Sequence, residues 1–142
     1  MKYLLDRVVL SEPAKPRGRA NRGAIAWLQA QDPLDLAISV LTLGEIRRGV
    51  DLLADGRRKR ELVEWLSDDL PAQFDRRVLP VCAEVALAWG SLTAVAQRQG
   101  RPLHVVDGLL LATAQVHGLA VVTRNADDFE QRGIPVENPY SP

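Results

Sequence analysis

Short apolar runs alternate along this chain with segments whose apolar residues recur at the helical period, and this alternation strongly constrains the fold. Runs such as Leu36–Leu41 and Leu119–Thr123 have the length and the β-branched content of buried strands. Between them, Val85, Trp89 and Leu92 show helical spacing. Strands that alternate with helices pair in parallel and are covered on both faces. The sequence therefore predicts an α/β fold of three layers, α/β/α, around a central, mostly parallel sheet.

The same patterns place the individual elements, with Gly and Pro marking several of their ends. The predicted strands are Tyr3–Leu10, Leu36–Leu41, Arg77–Val81, Leu119–Thr123 and Ile134–Val136. The predicted helices are Ala24–Gln31, one that begins at Thr42, Arg57–Leu70, Ala83–Gly100, Val105–Gly118 and Asn125–Gln131. A length of 142 residues is usual for one domain, and we expect a single domain over 1–142.

Composition narrows the class of protein. The chain is 46% apolar and 25% charged, as an average globular protein is, and its one cysteine, Cys82, cannot form an internal disulfide. Asp6 interrupts the first apolar residues too early for a signal peptide, and no run approaches membrane-spanning length. We therefore expect a cytoplasmic protein that does not contact a membrane.

Two short basic segments are the candidate contacts for nucleic acid, because the net charge of the whole chain is zero. Arg17, Arg19 and Arg22 lie in a stretch rich in Pro and Gly, and Arg57–Arg60 opens a predicted helix. Short charge runs are more often solvated surface than binding sites. The sequence leaves both interpretations open.

Two aspartates stand among apolar residues. Asp6 lies in a predicted strand, where a carboxylate is costly to bury unless it is paired or binds a cation. The alternative is that Asp6 ends the strand and caps the next turn. Asp107 shares a helical face with Leu110 and Leu111, which predicts a buried carboxylate. Its alternative role is that of a first-turn aspartate stabilised by the helix dipole.

Further acids follow other predicted strands. Glu45 completes a Thr42-x-x-Glu45 capping box, which explains it as a helix-start residue. Asp127 and Asp128 are otherwise ordinary acids of a first helical turn. Ligand sites of parallel sheets lie beyond the carboxyl ends of the strands, where clustered carboxylates need a cation such as Mg²⁺ or Mn²⁺. Such a metal hydrolyses phosphodiesters by activating water. The candidates for this cluster are Asp6, Glu45, Asp107 and Asp128.

Four separated motifs carry a resemblance to a known family. They are Leu4-Leu5-Asp6 with Val9-Leu10-Ser11-Glu12, then Ser39–Gly49, then Asp107-x-x-Leu110-Leu111-Ala112-Thr113-Ala114, and finally Thr123-Arg124-Asn125 with Asp128-Phe129. In this order and spacing, the chain resembles the PIN-domain nucleases. Among them it resembles the VapC-type toxins of bacterial toxin–antitoxin pairs, in the FitB-like subgroup, over nearly its whole length.

The resemblance implies a PIN-like fold and a toxin that cuts RNA with a metal-activated water. It also implies a homodimer and a cognate antitoxin that lies across a groove near the acids, in a larger toxin–antitoxin complex. The residues implied in the catalytic, metal-binding pocket for Mg²⁺ or Mn²⁺ are Asp6, Glu45, Asp107 and Asp128. The residues expected to support this site or to contact the RNA substrate are Thr123, Arg124, Asn125 and Arg7.

One departure from the family pattern bears on activity. The residues after the first aspartate are usually Thr-Asn, whereas Arg7 and Val8 stand here. Arg7 either lies across the carboxylates, pairing with Asp6 or Asp128 and competing with metal, or points away from them as the neighbour of Asp6 in a strand. Two hypotheses follow: an active ribonuclease toxin, and a catalytically weakened module that serves as a binding protein in an antitoxin–DNA complex that represses its own operon.

Overall fold

A parallel five-stranded sheet, ordered β3-β2-β1-β4-β5, forms the centre of the computed structural model, which describes residues 1–142. The strands are β1 Tyr3–Leu5, β2 Leu36–Ser39, β3 Val78–Leu79, β4 Ala120–Val122 and β5 Val136–Glu137. The helices are α1 Arg7–Ser11, α2 Arg22–Ala30, α3 Val40–Asp51, α4 Arg57–Glu64, α5 Leu70–Phe74, α6 Ala83–Arg98, α7 Val105–His117 and α8 Ala126–Phe129.

Successive residues of a strand point to opposite faces of the sheet, so that helices pack on both faces and the fold has three layers. Leu4 packs in a core with Leu111 of α7. Its neighbour Leu5 packs in the opposite core with Val9 of α1 and Phe74 of α5. The α/β/α architecture predicted from the alternation is thereby confirmed. None of the helices combines the length and the hydropathy that a bilayer-spanning segment requires.

The first strand is shorter than predicted. β1 ends at Leu5, and Arg7–Ser11 form helix α1 instead of continuing the strand. Asp6 makes the switch, because its Oδ1 accepts a hydrogen bond from the Val9 amide at 3.1 Å and so caps the helix. The strand prediction for Tyr3–Leu10 was wrong, since a short apolar run fits a buried strand and a buried helix equally well.

Helix α3 begins two residues earlier than predicted. β2 ends at Ser39, whose Oγ accepts a hydrogen bond from the Leu41 amide at 3.1 Å and caps the helix. The predicted capping box between Thr42 and Glu45 is therefore wrong. Thr42 lies inside the helix, and its buried hydroxyl has no hydrogen-bond partner.

The charged helix predicted over Arg57–Leu70 is interrupted near its end. A π turn spans Trp65–Asp69, in which the Leu70 amide donates to the Trp65 carbonyl five residues back. Pro71 follows in the first turn of α5, where its missing N–H is tolerated. The wider turn separates α4, which packs against α3, from α5, which packs against β2.

Candidate acidic site at the carboxyl ends of the strands

The candidate site lies where the three central strands of the sheet end. β1 pairs with β4 in the register Leu5↔Val122 and with β2 on its other side. Asp6 follows β1, helix α3 follows β2, and Thr123 follows β4. This edge of a parallel sheet is where ligand sites form, because the loops that leave neighbouring strands meet there.

Asp6 is held in one orientation from both of its carboxylate oxygens. Oδ1 caps α1, and Oδ2 accepts a hydrogen bond of 2.5 Å from the buried hydroxyl of Thr123. Burial raises the pKa of Asp6, although these hydrogen bonds oppose the shift. The capping role considered for Asp6 is confirmed. It uses Oδ1 only, so that Oδ2 is left to contact Thr123 at the end of β4.

Thr123 links Asp6 to the loop that carries the last motif. Its hydroxyl oxygen accepts a hydrogen bond from the Asn125 amide at 3.0 Å while donating to Asp6. Arg124 and Asn125 are exposed, and the Arg124 guanidinium lies 5.2 Å over the ring of Tyr140. Two exposed polar side chains thus stand beside the acids on a loop whose position is set by Thr123.

Glu45 projects from α3 and pairs with Arg7. The Arg7 Nε lies 3.3 Å from Oε2 of Glu45, and the Arg7 side chain is 56% exposed. Burial raises the pKa of Glu45, the charges of Asp107 and Asp6 raise it further, and Arg7 opposes them. Because Arg7 is the first residue of a helix rather than a strand residue, the strand argument for its pointing away does not apply.

Asp107 lies in the first turn of α7, next to the core but not inside it. Leu110 and Leu111 on the same face are buried, whereas Asp107 is only half-buried, so the predicted full burial was wrong. Burial nevertheless raises its pKa, and the charges of Asp128 and Asp6 add to the effect. The first-turn position foreseen as its alternative is also correct.

Asp128 is the most exposed of the four candidates. It lies on the short helix α8, close enough to Asp107 to raise the pKa of that carboxyl. A polar cavity of about 300 Å³ opens beside it, lined by Arg124, Asn125 and Asn138 among others. The structure therefore brings the charges of Asp6, Glu45 and Asp107 close enough to influence one another, and Asp128 joins them from the exposed side through its effect on Asp107.

The donor atoms suit a hard divalent cation, although the side chains are not arranged as a completed metal site. All four groups offer carboxylate oxygens, and three of them have raised pKa values because they are crowded and partly desolvated. No three acidic, histidine or cysteine side chains stand in positions to hold one ion. Glu45 pairs with Arg7 instead. The chemical type of these ligands therefore suits a divalent cation, but Glu45 would have to leave Arg7 and turn towards the ion.

Several contributors to the site were not foreseen. His104 is the N-cap of α7, and its charge lowers the pKa of Asp107. Arg101 and Arg132 donate to backbone carbonyls of the segment that carries Asp128. Tyr140 lies under Arg124 although it is far away in the chain. Only His104 had a local signal, three residues before Asp107.

The fold is that of a known family. The chain belongs to the PIN domain family, whose model matches residues 3–134. Among curated proteins it is similar to Toxin FitB of Neisseria gonorrhoeae, with 35% identity over 137 residues, 96% of this chain and 97% of that protein. It is similar also to the VapC ribonuclease Y4jK of Sinorhizobium fredii, with 32% identity and 98% of each chain covered.

A solved structure extends the comparison to three dimensions. The structure of FitAB bound to an IR36 DNA fragment contains a chain that matches this one with a TM-score of 0.92 and 33% identity. The match covers 99% of this chain and 96% of that chain. The resemblance to the FitB-like subgroup is therefore confirmed over the whole fold.

Proposed function

We propose that this protein is the toxin of a toxin–antitoxin pair and an endoribonuclease that depends on Mg²⁺ or Mn²⁺. The observation that carries the proposal is the group of Asp6 after β1, Glu45 on α3 and Asp107 in the first turn of α7, with pKa values raised by burial and, for two of them, by the charges of neighbouring acids. Such a group is stable as carboxylates only beside a cation. The names of the relatives, a toxin and a ribonuclease, support the same function.

Each residue has a distinct part in this proposal. Asp6, Glu45, Asp107 and Asp128 would hold the ion, which when bound activates water and neutralises charge on the phosphate. Thr123 fixes the Asp6 carboxylate by its hydrogen bond. Arg124 and Asn125, exposed beside the acids, would contact the RNA backbone. Arg7 and Val8, in place of the Thr-Asn of the family pattern, would lower the rate.

The partner proposed is a cognate antitoxin, with the toxin as a homodimer. A groove of about 230 Å³ runs beside Arg7 and Glu45 and is walled by Ile46, Leu53 and Trp65, among others. An amphipathic antitoxin segment would bury its apolar side there, close to the acids. The FitAB–DNA structure, whose chain covers nearly all of this one, supports a larger assembly. Light scattering of the isolated chain tests the dimer.

The decisive experiment is cleavage of a mixed RNA pool by the purified chain with Mn²⁺ and with EDTA. We expect activity only with metal, and a loss of roughly 100-fold or more for Asp107→Asn. Asp69→Asn is the control, because Asp69 is exposed and makes no side-chain cap contact. Cleavage that survives EDTA, or that both variants reduce equally, would overturn the proposal.

The ion pair of Arg7 with Glu45 favours a second candidate function. If Arg7 neutralises the pocket permanently, the chain acts as a binding module in an antitoxin–DNA complex that represses its own operon. A folded chain that binds no Mn²⁺ and cuts no RNA, but whose antitoxin complex binds operator DNA, would favour this function over the first. Arg7→Thr with Val8→Asn would then be the variant that restores cleavage.

A further inference from the structure

Arg7 is placed where it acts on the whole acidic group at once. Its Nε lies 3.3 Å from Glu45, and its charge lowers the pKa of Asp6, Glu45 and Asp107 alike. His104 acts on Asp107, but the ion pair within the group belongs to Arg7. Arg7 is thus the cation that is paired directly with this group, through Glu45.

We propose that Arg7 is a resident counter-ion that competes with the divalent ion for Glu45, so that residue 7 determines the metal affinity of the pocket. The proposal rests on the proposed metal-dependent function. A divalent ion gains its oxygen ligands only if Glu45 leaves Arg7, and a guanidinium that remained nearby would repel the ion. Both effects weaken metal binding. Removing the guanidinium removes both of them.

The Arg7 side chain is free to leave when metal arrives. It is 56% exposed, stands at the first position of α1, and makes its ion pair with Glu45 through one contact of 3.3 Å. Exposed ion pairs of this kind contribute little to folding, so they can be exchanged for a stronger ligand. Arg7 is therefore a displaceable partner of Glu45 rather than a structural one.

The chain contains a matched control for this ion pair on the same helix as Glu45. Arg47 Nε lies 3.2 Å from Asp51, and the Arg47 side chain is 55% exposed. The two arginine side chains are thus almost equally exposed, and they lie at almost the same distance from their carboxylate partners. They differ in their partners: Arg7 pairs with Glu45 of the acidic group, which lies on another helix and is less exposed, whereas Arg47 pairs with the exposed Asp51 one turn away on its own helix.

The test is calorimetric titration of Mn²⁺ into the purified chain and its variants, without RNA. We expect Arg7→Met to bind Mn²⁺ about ten-fold more tightly than the parent chain, and Arg47→Met to bind as the parent does. Arg7→Lys keeps the positive charge but lacks the planar guanidinium group. We expect this variant to bind Mn²⁺ nearly as weakly as the parent chain.

The outcomes separate this inference from the proposed function. If Arg7→Met and Arg47→Met bind Mn²⁺ equally while cleavage still requires metal, the role of Arg7 is overturned and the nuclease stands. If Arg7→Met and the parent chain both fail to bind Mn²⁺ and cleavage is indifferent to EDTA, the proposed function fails, and the role of Arg7 fails with it.

Discussion

Thr123 shows how one hydroxyl orders a carboxylate at the end of a strand. It is fully buried, donates to Asp6 and accepts from the Asn125 amide, so its rotation is fixed by two contacts. Asp6 is in turn held by the Val9 amide. A carboxylate oriented in this way does not have to be ordered when a cation binds, which favours binding. The role of Thr123 is therefore to position Asp6.

Replacing Thr123 by Val removes the hydroxyl while keeping the shape of the side chain. We expect Thr123→Val to lower the metal affinity and the cleavage rate by about 10-fold or more, as the loss of an orienting partner typically does. The control is Thr113→Val, because Thr113 is equally buried but donates only to the Leu109 carbonyl of its own helix. Cleavage rates and Mn²⁺ titration check this. Equal effects of both substitutions would assign Thr123 to stability alone.

Single residues were predictable where they broke a pattern. Asp6 and Asp107 were found because a carboxylate among apolar residues needs an explanation, and both lie in the acidic group. That Arg7 lies across the carboxylates was one of two alternatives left open by the sequence. Its pairing with Glu45 was not foreseen, because it depends on Arg7 starting a helix. The residue after Asp6 points to one side if the chain continues as a strand and to another if a helix begins. An apolar run does not show which of the two conformations the chain adopts.

At the scale of elements, helix α7 carries Asp107 and is positioned by its close contact with α6. Gly108 follows Asp107 and faces the indole of Trp89, where an added Cβ would lie only 3.0 Å from two ring atoms. The buried indole nitrogen of Trp89 has no hydrogen-bond partner. The absence of a side chain at Gly108 thus lets α7 approach α6 and places Asp107 at the edge of the sheet.

Gly108→Ala should push α7 away from α6. The crowding costs about 1–3 kcal/mol, which outweighs the gain of about 1 kcal/mol that alanine brings to a helix. Gly90→Ala on α6 is the control, because an added Cβ at Gly90 meets nothing within 4 Å. We expect the free energies of unfolding of the two variants to differ by about 2 kcal/mol, measured by urea titration. No difference would mean that Trp89 moves aside freely.

Helix α8, which carries Asp128, is held by two arginines. Arg132 donates to the carbonyls of Arg101 and Asp128 at 2.7 and 3.3 Å, and Arg101 donates to the carbonyl of Glu130. These guanidinium groups satisfy carbonyls that a four-residue helix leaves open at its end. They also join α8 to the loop that precedes α7, and so relate Asp128 to Asp107.

Arg132→Met should release this end of α8 and let Asp128 move. We expect the Mn²⁺ concentration needed for half-maximal cleavage to rise about 10-fold, with the KM for RNA unchanged. Arg98→Met is the control, because Arg98 is exposed in the last turn of α6. A change in KM alone would instead indicate that Arg132 binds RNA.

The elements themselves were largely predictable, and their ends were not. The long amphipathic helices α6 and α7 follow from the hydrophobic period, and the parallel sheet follows from the alternation of strands and helices. The starts of α1 and α3 depend on the caps Asp6 and Ser39, and a cap is one hydrogen bond that many Asp and Ser residues are able to form. The π turn at Trp65–Asp69 could not be predicted, because it does not change the spacing of the apolar residues noticeably.

At the scale of the whole molecule, a buried glutamate joins the two ends of the chain. Glu12 is fully buried and accepts hydrogen bonds from Lys15, from the Asn21 amide and from the Tyr140 hydroxyl, at 2.8, 2.8 and 2.6 Å. The Tyr140 ring lies under Arg124, beside the acidic site. Residues 12 and 140 are too distant in sequence for any local pattern to reveal this contact, so only the folded chain shows it.

Glu12→Gln tests this junction, because it keeps the volume and removes the charge. We expect the free energy of unfolding at pH 7 to fall by about 2–4 kcal/mol, since an amide nitrogen would face donors that now meet an acceptor. Glu61→Gln, which breaks only the exposed pair of Glu61 with Arg57, should change it by less than about 1 kcal/mol.

The stabilisation that Glu12 contributes should depend on pH, and the direction follows from its lowered pKa. Although burial opposes it, the hydrogen bonds from Lys15, Tyr140 and Asn21 hold the pKa of Glu12 below its ordinary value. A carboxyl whose pKa is lower in the folded state stabilises the fold above its unfolded pKa, about 4.3, and loses that contribution as the pH falls through the folded pKa. The parent chain should therefore lose its advantage over Glu12→Gln in acid. Denaturation curves from pH 7 to pH 3 in EDTA measure this, and a gap that stays constant with pH would show that Glu12 acts by shape and not by charge.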